Sequence, residues 1–173
     1  SSLPPSANER EGGSVFRLEG DDWVGCGKIG GERGPYAEYG HDTVHALEVF
    51  QGRLYGVPLY TQGLFRYEGG SEWTDCGSHG ARLMTLGVYR GELHVLENGS
   101  GVYRFNSGPD STQWTRLTAL PGVSQVYSMA VYEGSMVVGT WPEARVFGWA
   151  PEGEWIDMGR LGEELEVMGM AVY

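Results

Sequence analysis

The chain has 173 residues, a net charge of −11, 29 glycines and 40% hydrophobic residues. That length allows one domain with its own core, and the hydrophobic content is too high for a disordered linker. The acidic balance argues against nucleic acid and anionic membrane as partners, since both attract basic surfaces.

Short strand-like segments of similar sequence recur along the chain. Four tryptophans that follow turn residues are spaced by 50, 41 and 41 residues: Trp23, Trp73, Trp114 and Trp155. A short apolar segment precedes each of them, at residues 15–17, 64–66, 102–104 and 146–148. A longer apolar strand is expected at residues 44–50, 83–89, 126–132 and 167–173. A period near 41 residues with four strands in each unit is typical of a β-propeller.

The longer strands carry large side chains on one face and small ones on the other. Met129 and Val131 alternate with Ser128 and Ala130, and Thr85 and Gly87 are the small pair of an earlier strand. Sheets covered on both faces need such complementary partners. A glycine follows three of these strands after one residue, at Gly52, Gly91 and Gly134. This spacing predicts two-residue hairpin turns in which the glycine has positive φ.

We therefore predict an all-β fold, a β-propeller of about four four-stranded blades in a single domain, residues 1–173. The blades are expected at residues 1–30 together with 166–173, 43–80, 82–120 and 125–161. About one hairpin is missing where the first and last repeats would meet. We favour a consecutive piece of a larger propeller. The alternatives are closure, with Val167–Tyr173 completing the blade begun by Val15–Gly27, and assembly from several copies.

The repeated pattern resembles kelch-type and related β-propeller repeats. It consists of an apolar strand with a glycine turn, as in Val88-Tyr89 before Gly91, then a strand such as Val102-Tyr103-Arg104, then a tryptophan after a turn. The double glycine of kelch repeats has a counterpart in Gly69-Gly70. The resemblance implies a propeller fold and ligand binding through loops. It implies no particular activity, because such propellers host many functions.

Two recurring residue types are assigned structural roles. Cys26 and Cys76 occupy matching positions in different repeats, so we predict two buried thiols and no disulfide. Three arginines recur at one strand position and are expected to tie neighbouring blades together: Arg17, Arg66 and Arg104.

The loop from Lys28 to Asp42 is the longest between predicted blades and is the main candidate ligand site. Loops on rigid sheets commonly carry binding residues, and aromatic faces beside carboxylates suit sugars or peptides. The candidate residues are Tyr36, Glu38, Tyr39, His41 and Asp42. The alternative is an ordinary solvated insertion. A metal site using His45 and Glu48 is disfavoured because the two point to opposite faces of a strand. No metal or cofactor is predicted.

Two further residues depart from their repeat counterparts. Glu48 stands where other repeats have Gly87 or Ala130, which predicts a buried carboxylate near a central channel, paired with an arginine or forming a channel site. Trp141 follows a predicted second strand and is either a contact anchor or a residue packed under its loop.

The sequence therefore favours a non-catalytic scaffold that binds a protein or glycan through loops on one rim. One alternative is a propeller glycoside hydrolase or lyase that uses the carboxylates of Glu38, Asp42 and Glu48. Another is a structural module that assembles through its open blade, as a homo-oligomer or with the remainder of a longer propeller. The compartment stays open, with a secreted or cell-surface location favoured.

Overall fold

The computed structural model describes residues 13–30, 43–106 and 114–173. In these residues the regular secondary structure is entirely β, as the repeats predict. The chain divides into two compact units, Ser1–Leu83 and Met84–Tyr173. Across the described ranges there is no helix long and apolar enough to cross a membrane.

The first unit contains two sheets whose strands follow chain order. Sheet A is a hairpin of two strands, β1 (Ser14–Glu19) and β2 (Asp22–Lys28). Sheet B has four strands: β3 (Val44–Phe50), β4 (Arg53–Pro58), β5 (Phe65–Gly69) and β6 (Glu72–Asp75). Each strand pairs antiparallel with the next, which is the meander expected when short turns join consecutive strands.

The second unit contains two four-stranded meanders. Sheet C consists of β7 (Leu83–Tyr89), β8 (Glu92–Glu97), β9 (Val102–Phe105) and β10 (Trp114–Arg116). Sheet D consists of β11 (Gln125–Tyr132), β12 (Ser135–Trp141), β13 (Arg145–Trp149) and β14 (Trp155–Arg160). The strand positions therefore confirm the 41-residue pattern for three complete sheets.

The predicted glycine turns are confirmed. Gly52, Gly91 and Gly134 have φ of 72°, 74° and 78°. The residues before them also have positive φ, at 51°, 50° and 48° for Gln51, Arg90 and Glu133. Two consecutive positive φ values are the mark of a type I′ turn, whose twist matches that of the strands it joins.

The pairing of large with small side chains is confirmed in the second unit. Met129 of β11 lies against Gly87 of β7, with its Sδ atom 2.6 Å from the place that a Cβ on Gly87 would take. Sheets C and D bury a joint core between them, composed of Tyr89, Leu96, Val102, Leu120, Val126, Met136, Val138 and Phe147. The small residue of one sheet thus makes room for the large residue of the next.

Both cysteines are free and buried, as predicted. The Sγ atoms of Cys26 and Cys76 each lie 3.7 Å from the carbonyl oxygen two residues earlier, which shows that the two positions are structural equivalents. Burial raises the pKa of the Cys76 thiol, which favours its protonated form.

One predicted strand is wrong. Residues 167–173 form no strand. Val167 instead makes single bonds to sheet D: its N–H donates to the Thr140 carbonyl at 3.2 Å, and its carbonyl accepts from Ser128 Oγ at 2.6 Å. A strand needs a continuous ladder with a neighbour, and this segment has only these isolated contacts along sheet D. The blade that would join the first and last repeats stays a prediction.

The recurring arginines form ion pairs within their own sheets, and their expected role in tying neighbouring blades together stays a prediction. Arg17 pairs with Glu19 on its own strand, and Arg66 pairs with Glu68 at 2.7 Å on β5. Arg104 of β9 reaches Glu92 on the neighbouring β8 at 3.1 Å. These ion pairs lie within single sheets, because a carboxylate stands within reach on the same or the adjacent strand.

Candidate functional site

Sheet B covers one face of sheet A in the first unit. The indole Nε1 of Trp73, on β6, donates to the Cys26 carbonyl at 2.7 Å. Phe65 of β5 is 4% exposed and packs with Val15, Cys26 and Ile29 of the preceding segment. This hydrogen bond and the apolar contacts around it fix sheet B against sheet A.

Sheet D covers sheet C in the same way in the second unit. The indole Nε1 of Trp155, on β14, donates to the Thr118 carbonyl at 2.6 Å. Phe147 of β13 is 1% exposed in the core that the two sheets share. The chain therefore uses one kind of sheet-to-sheet contact twice, and this contact accounts for two of the four recurring tryptophans, Trp73 and Trp155.

Strand register identifies the equivalent residues of sheets A, B and D. Phe16 pairs with Gly25 in sheet A, and Phe65 pairs with Asp75 in sheet B. Phe147 pairs with Asp157 in sheet D. Each phenylalanine is followed two residues later by a second apolar side chain, and the next strand of the same sheet then supplies the tryptophan. These three positions form the face that meets the preceding sheet.

This face is uncovered in sheet A. Phe16 is 54% exposed, in contrast to its buried equivalents Phe65 and Phe147. Leu18 is also exposed, and Trp23 is 69% exposed. We call these three residues the Trp23 face. Sheet A thus presents to solvent the surface with which sheets B and D each contact a neighbour.

The opposite face is uncovered in sheet D. Ile156 and Met158 of β14 are 59% and 58% exposed, whereas Cys26, at the position of Met158 in sheet A, is buried under sheet B. An open cavity of about 290 Å³ is lined by Ile156 and Met158 together with Val137 and Gly148. We call these four residues the Met158 face. Tyr132, Trp149, Ala150 and Pro151 complete the apolar lining of the cavity, with Glu133 and Ser135 as its polar edge.

Both faces expose large apolar side chains to solvent. Burying one large aliphatic or aromatic side chain contributes about 1.5–3 kcal/mol. Within the described residues, no group of three His, Cys, Asp or Glu side chains is placed to hold a metal ion.

The buried His94 lies on β8, away from both faces. Burial lowers the pKa of His94, and its Nδ1 donates to the Glu92 carbonyl at 3.1 Å.

The predicted loop site lies outside the described residues. It comprises Tyr36, Glu38, Tyr39, His41 and Asp42, and their role stays a prediction. Trp141 is the last residue of β12 and is partly buried, and its carbonyl accepts from the Ser124 N–H at 3.2 Å. Trp141 does not line the cavity of the Met158 face.

The expectation for Glu48 is corrected. Glu48 lies in the middle of β3 and is partly buried rather than buried. Its Oε1 accepts the backbone N–H of Val49 at 2.9 Å, in an exposed setting. A carboxylate that can turn back to its own backbone beside solvent needs no arginine partner. Glu48 is the one carboxylate of the proposed hydrolase or lyase set that lies within the described residues.

Sequence reasoning missed the exposed side chains of both faces. Phe16, Leu18 and Trp23 match positions that are buried or partly buried in later repeats, so pattern alone assigns them to the framework. The available signal was their place in the first repeat, which has no described sheet before it. Ile156 and Met158 likewise belong to the last described sheet, and the signal for their face is a pair of apolar side chains two residues apart on β14.

No protein-family model matches the sequence, and no curated protein matches it either. Solved structures do resemble it. The computationally designed Ika4 protein aligns at a TM-score of 0.56 and 13% identity, covering 76% of this chain and 80% of Ika4. Virginiamycin B lyase from Staphylococcus aureus aligns at 0.56 and 15% identity, covering 71% of this chain and 43% of the lyase.

A protein from Lactobacillus plantarum aligns at a TM-score of 0.55 and 14% identity, over 86% of this chain and 50% of that protein. The chain thus spans half or less of the natural proteins compared here. These neighbours are β-propeller-type proteins, so the likeness establishes a β-propeller-type fold. At such low identity it carries neither the activity of the lyase nor a blade number.

Proposed function

We propose that this chain is a non-catalytic β-propeller-type scaffold that binds a protein partner through its uncovered sheet faces. The observation that carries the proposal is the contrast between equivalent residues. Phe65 and Phe147 are buried against a neighbouring sheet, whereas Phe16 is exposed. Contiguous apolar surface on a folded domain commonly marks an interaction site.

The Met158 face has the properties of a pocketed interface. Its cavity of about 290 Å³ is walled by apolar and aromatic side chains and has a carboxylate and a hydroxyl at its edge. Such a cavity accepts an apolar anchor from a partner, and aromatic anchors dominate the energetics of most interfaces. A protein partner fits this lining better than a glycan, because few polar groups converge on it.

The test uses a phage-displayed library of random 12-residue peptides, panned on the immobilised 173-residue chain. We expect selected peptides to be rich in aromatic and aliphatic residues. Their affinity should fall at least about tenfold for the double variant Ile156→Glu/Met158→Glu, since buried anchors each contribute on the order of 1–2 kcal/mol or more.

The matched control is the double variant Leu161→Glu/Leu165→Glu. It adds the same charge and removes two exposed apolar side chains that do not line the cavity. The control should keep wild-type affinity. Peptides that bind the Ile156→Glu/Met158→Glu variant as tightly as the wild type would remove the Met158 face from the binding surface and overturn the proposal.

A further inference from the structure

We infer that the partner of the Met158 face is the Trp23 face of a second copy of this chain, with Trp23 Nε1 donating to the carbonyl of Met158 or of Gly159. The inference rests on the proposed function and names its partner. The proposed contact between two molecules is of the same kind as the contacts of sheet B with sheet A and of sheet D with sheet C within one chain.

Register gives the acceptor. The Cys26 carbonyl, which receives the Trp73 indole, comes one residue after Gly25, the partner of Phe16. In sheet D the partner of Phe147 is Asp157, so Met158 stands where Cys26 stands in sheet A. In the C–D contact the acceptor lies one residue further along the chain, at Thr118, which follows β10, and this makes Gly159 the alternative.

The backbone around the two acceptors is alike. The pairing in sheet A shifts register between Ser14 and Phe16, and the pairing in sheet D shifts between Val146 and Phe147. The residues that follow the two acceptors, Gly27 and Gly159, both have positive φ, at 84° and 102°. A β-bulge re-aims the backbone locally, so the two strands present this carbonyl in the same way.

The two faces are complementary in shape. The Trp23 face projects three large apolar side chains, two on β1 and one on β2. The Met158 face is hollow, because Gly148 leaves its centre without a side chain and Met158 Sδ is the nearest group, 3.2 Å from a Cβ placed there. In the contact between sheets C and D, a large residue of the following sheet, Met129, likewise meets a hollow in the preceding sheet, at Gly87.

Continuity with these contacts points to a second copy as the occupant. Sheet B on sheet A and sheet D on sheet C are the same contact, and each uncovered face is one half of it. In this structure both halves are open to solvent on one molecule. Joining them between molecules gives a head-to-tail interface, which generates closed rings or open chains, with a ring of two copies as the smallest closed form.

The test is the solution mass of the 173-residue chain, measured by light scattering after size exclusion over a concentration series. The monomer has a mass of 19.0 kDa. We expect the wild-type mass to rise with concentration to 38 kDa, the mass of two chains, or above. Trp23→Glu and Met158→Glu, each measured alone, should stay at the monomer mass with an unchanged circular dichroism spectrum.

An equimolar mixture of the two variants separates a head-to-tail interface from any other. Trp23→Glu keeps an intact Met158 face and Met158→Glu keeps an intact Trp23 face, so the mixture should form a one-to-one dimer that grows no further. Leu161→Glu/Leu165→Glu should associate like the wild type.

Three results would overturn the inference: a wild-type monomer at every concentration up to the solubility limit, association of either single variant alone, or a mixture that stays monomeric. A monomeric wild type in which Trp23 is shielded from acrylamide quenching would show that the chain covers its own face. Peptide binding that depends on Ile156 and Met158 would leave the proposed function standing in each of these cases.

Discussion

Gly27 packs so closely against the backbone of Ser71 that a Cβ at Gly27 would overlap the Ser71 carbonyl. Gly27 also has a φ of 84°. Ser71 lies in the turn between β5 and β6, so this approach is part of the contact that holds sheet B on sheet A.

Gly27→Ala is therefore expected to lower the free energy of unfolding by about 3 kcal/mol, of which 1–2 kcal/mol is the usual penalty for positive φ. Gly20→Ala is the control, because Gly20 has a φ of 62° but no atom within 4 Å of its Cβ position. Urea unfolding of both variants checks this. Equal losses would contradict a steric role for Ser71.

Trp155→Phe should keep the ring in the contact between sheets C and D while removing the indole donor. The Thr118 carbonyl then loses its bond, and we expect a loss of about 1 kcal/mol in the free energy of unfolding. Trp73→Phe should cost about the same, because it leaves the Cys26 carbonyl without the indole.

Trp23→Phe is the matched control for these two variants. Trp23 is largely exposed, so Trp23→Phe should change the free energy of unfolding by no more than about 0.5 kcal/mol in dilute solution. Thermal or urea unfolding of the three variants measures these free-energy differences. A loss for Trp23→Phe equal to the other two would mean that its indole is bonded within the monomer.

Ser128→Ala should loosen the segment that follows sheet D. The Ser128 hydroxyl is buried and donates to the Val167 carbonyl, and no other donor to that carbonyl is evident in the described residues. We expect the free energy of unfolding to fall by about 1–2 kcal/mol. We also expect faster amide exchange at Val167, whose N–H donates to the Thr140 carbonyl. Ser135→Ala, on β12 of the same sheet, should leave that exchange rate unchanged.

His94 should make the protein less stable in acid. Burial lowers its folded-state pKa below the unfolded value of about 6.5, opposed only in part by the Glu92 carbonyl. Below about pH 6.5 the unfolded chain therefore binds a proton that the folded chain does not, and the free energy of unfolding falls as pH decreases.

His94→Phe tests this pH dependence, because it keeps a ring beside Tyr89 but cannot titrate. The difference in unfolding free energy between wild type and variant, followed from pH 7 to pH 5, should shift in favour of the variant as pH falls. A constant difference over this range would show that His94 does not govern the acid sensitivity.

Local patterns predicted the strands well because each is encoded by its own residues. The turns at Gly52, Gly91 and Gly134 need positive φ, and alternating apolar residues select the faces. The buried thiols of Cys26 and Cys76 followed from their matching repeat positions. These features depend on neighbours close in sequence, which a repeat period makes visible.

Features that depend on a missing neighbour could not be predicted in this way. The segment 167–173 has the composition of its counterparts 44–50 and 126–132, but a strand forms only where another strand offers a free ladder. The exposure of Trp23 could not be predicted for a similar reason. Trp23 and Trp155 occupy equivalent positions in their repeats, but only Trp155 has a described sheet before it to contact. For Glu48, the small residues of other repeats suggested burial, whereas partial exposure lets the carboxylate bond Val49.

The repeated indole-to-carbonyl contact also bears on how such a chain can evolve. Because the first and last described sheets each carry one half of a contact that already exists inside the chain, tandem duplication of the coding sequence would join those halves without requiring any new surface. Length could then change by whole repeats, and each added unit would inherit its partner's complementarity from the sequence that was copied.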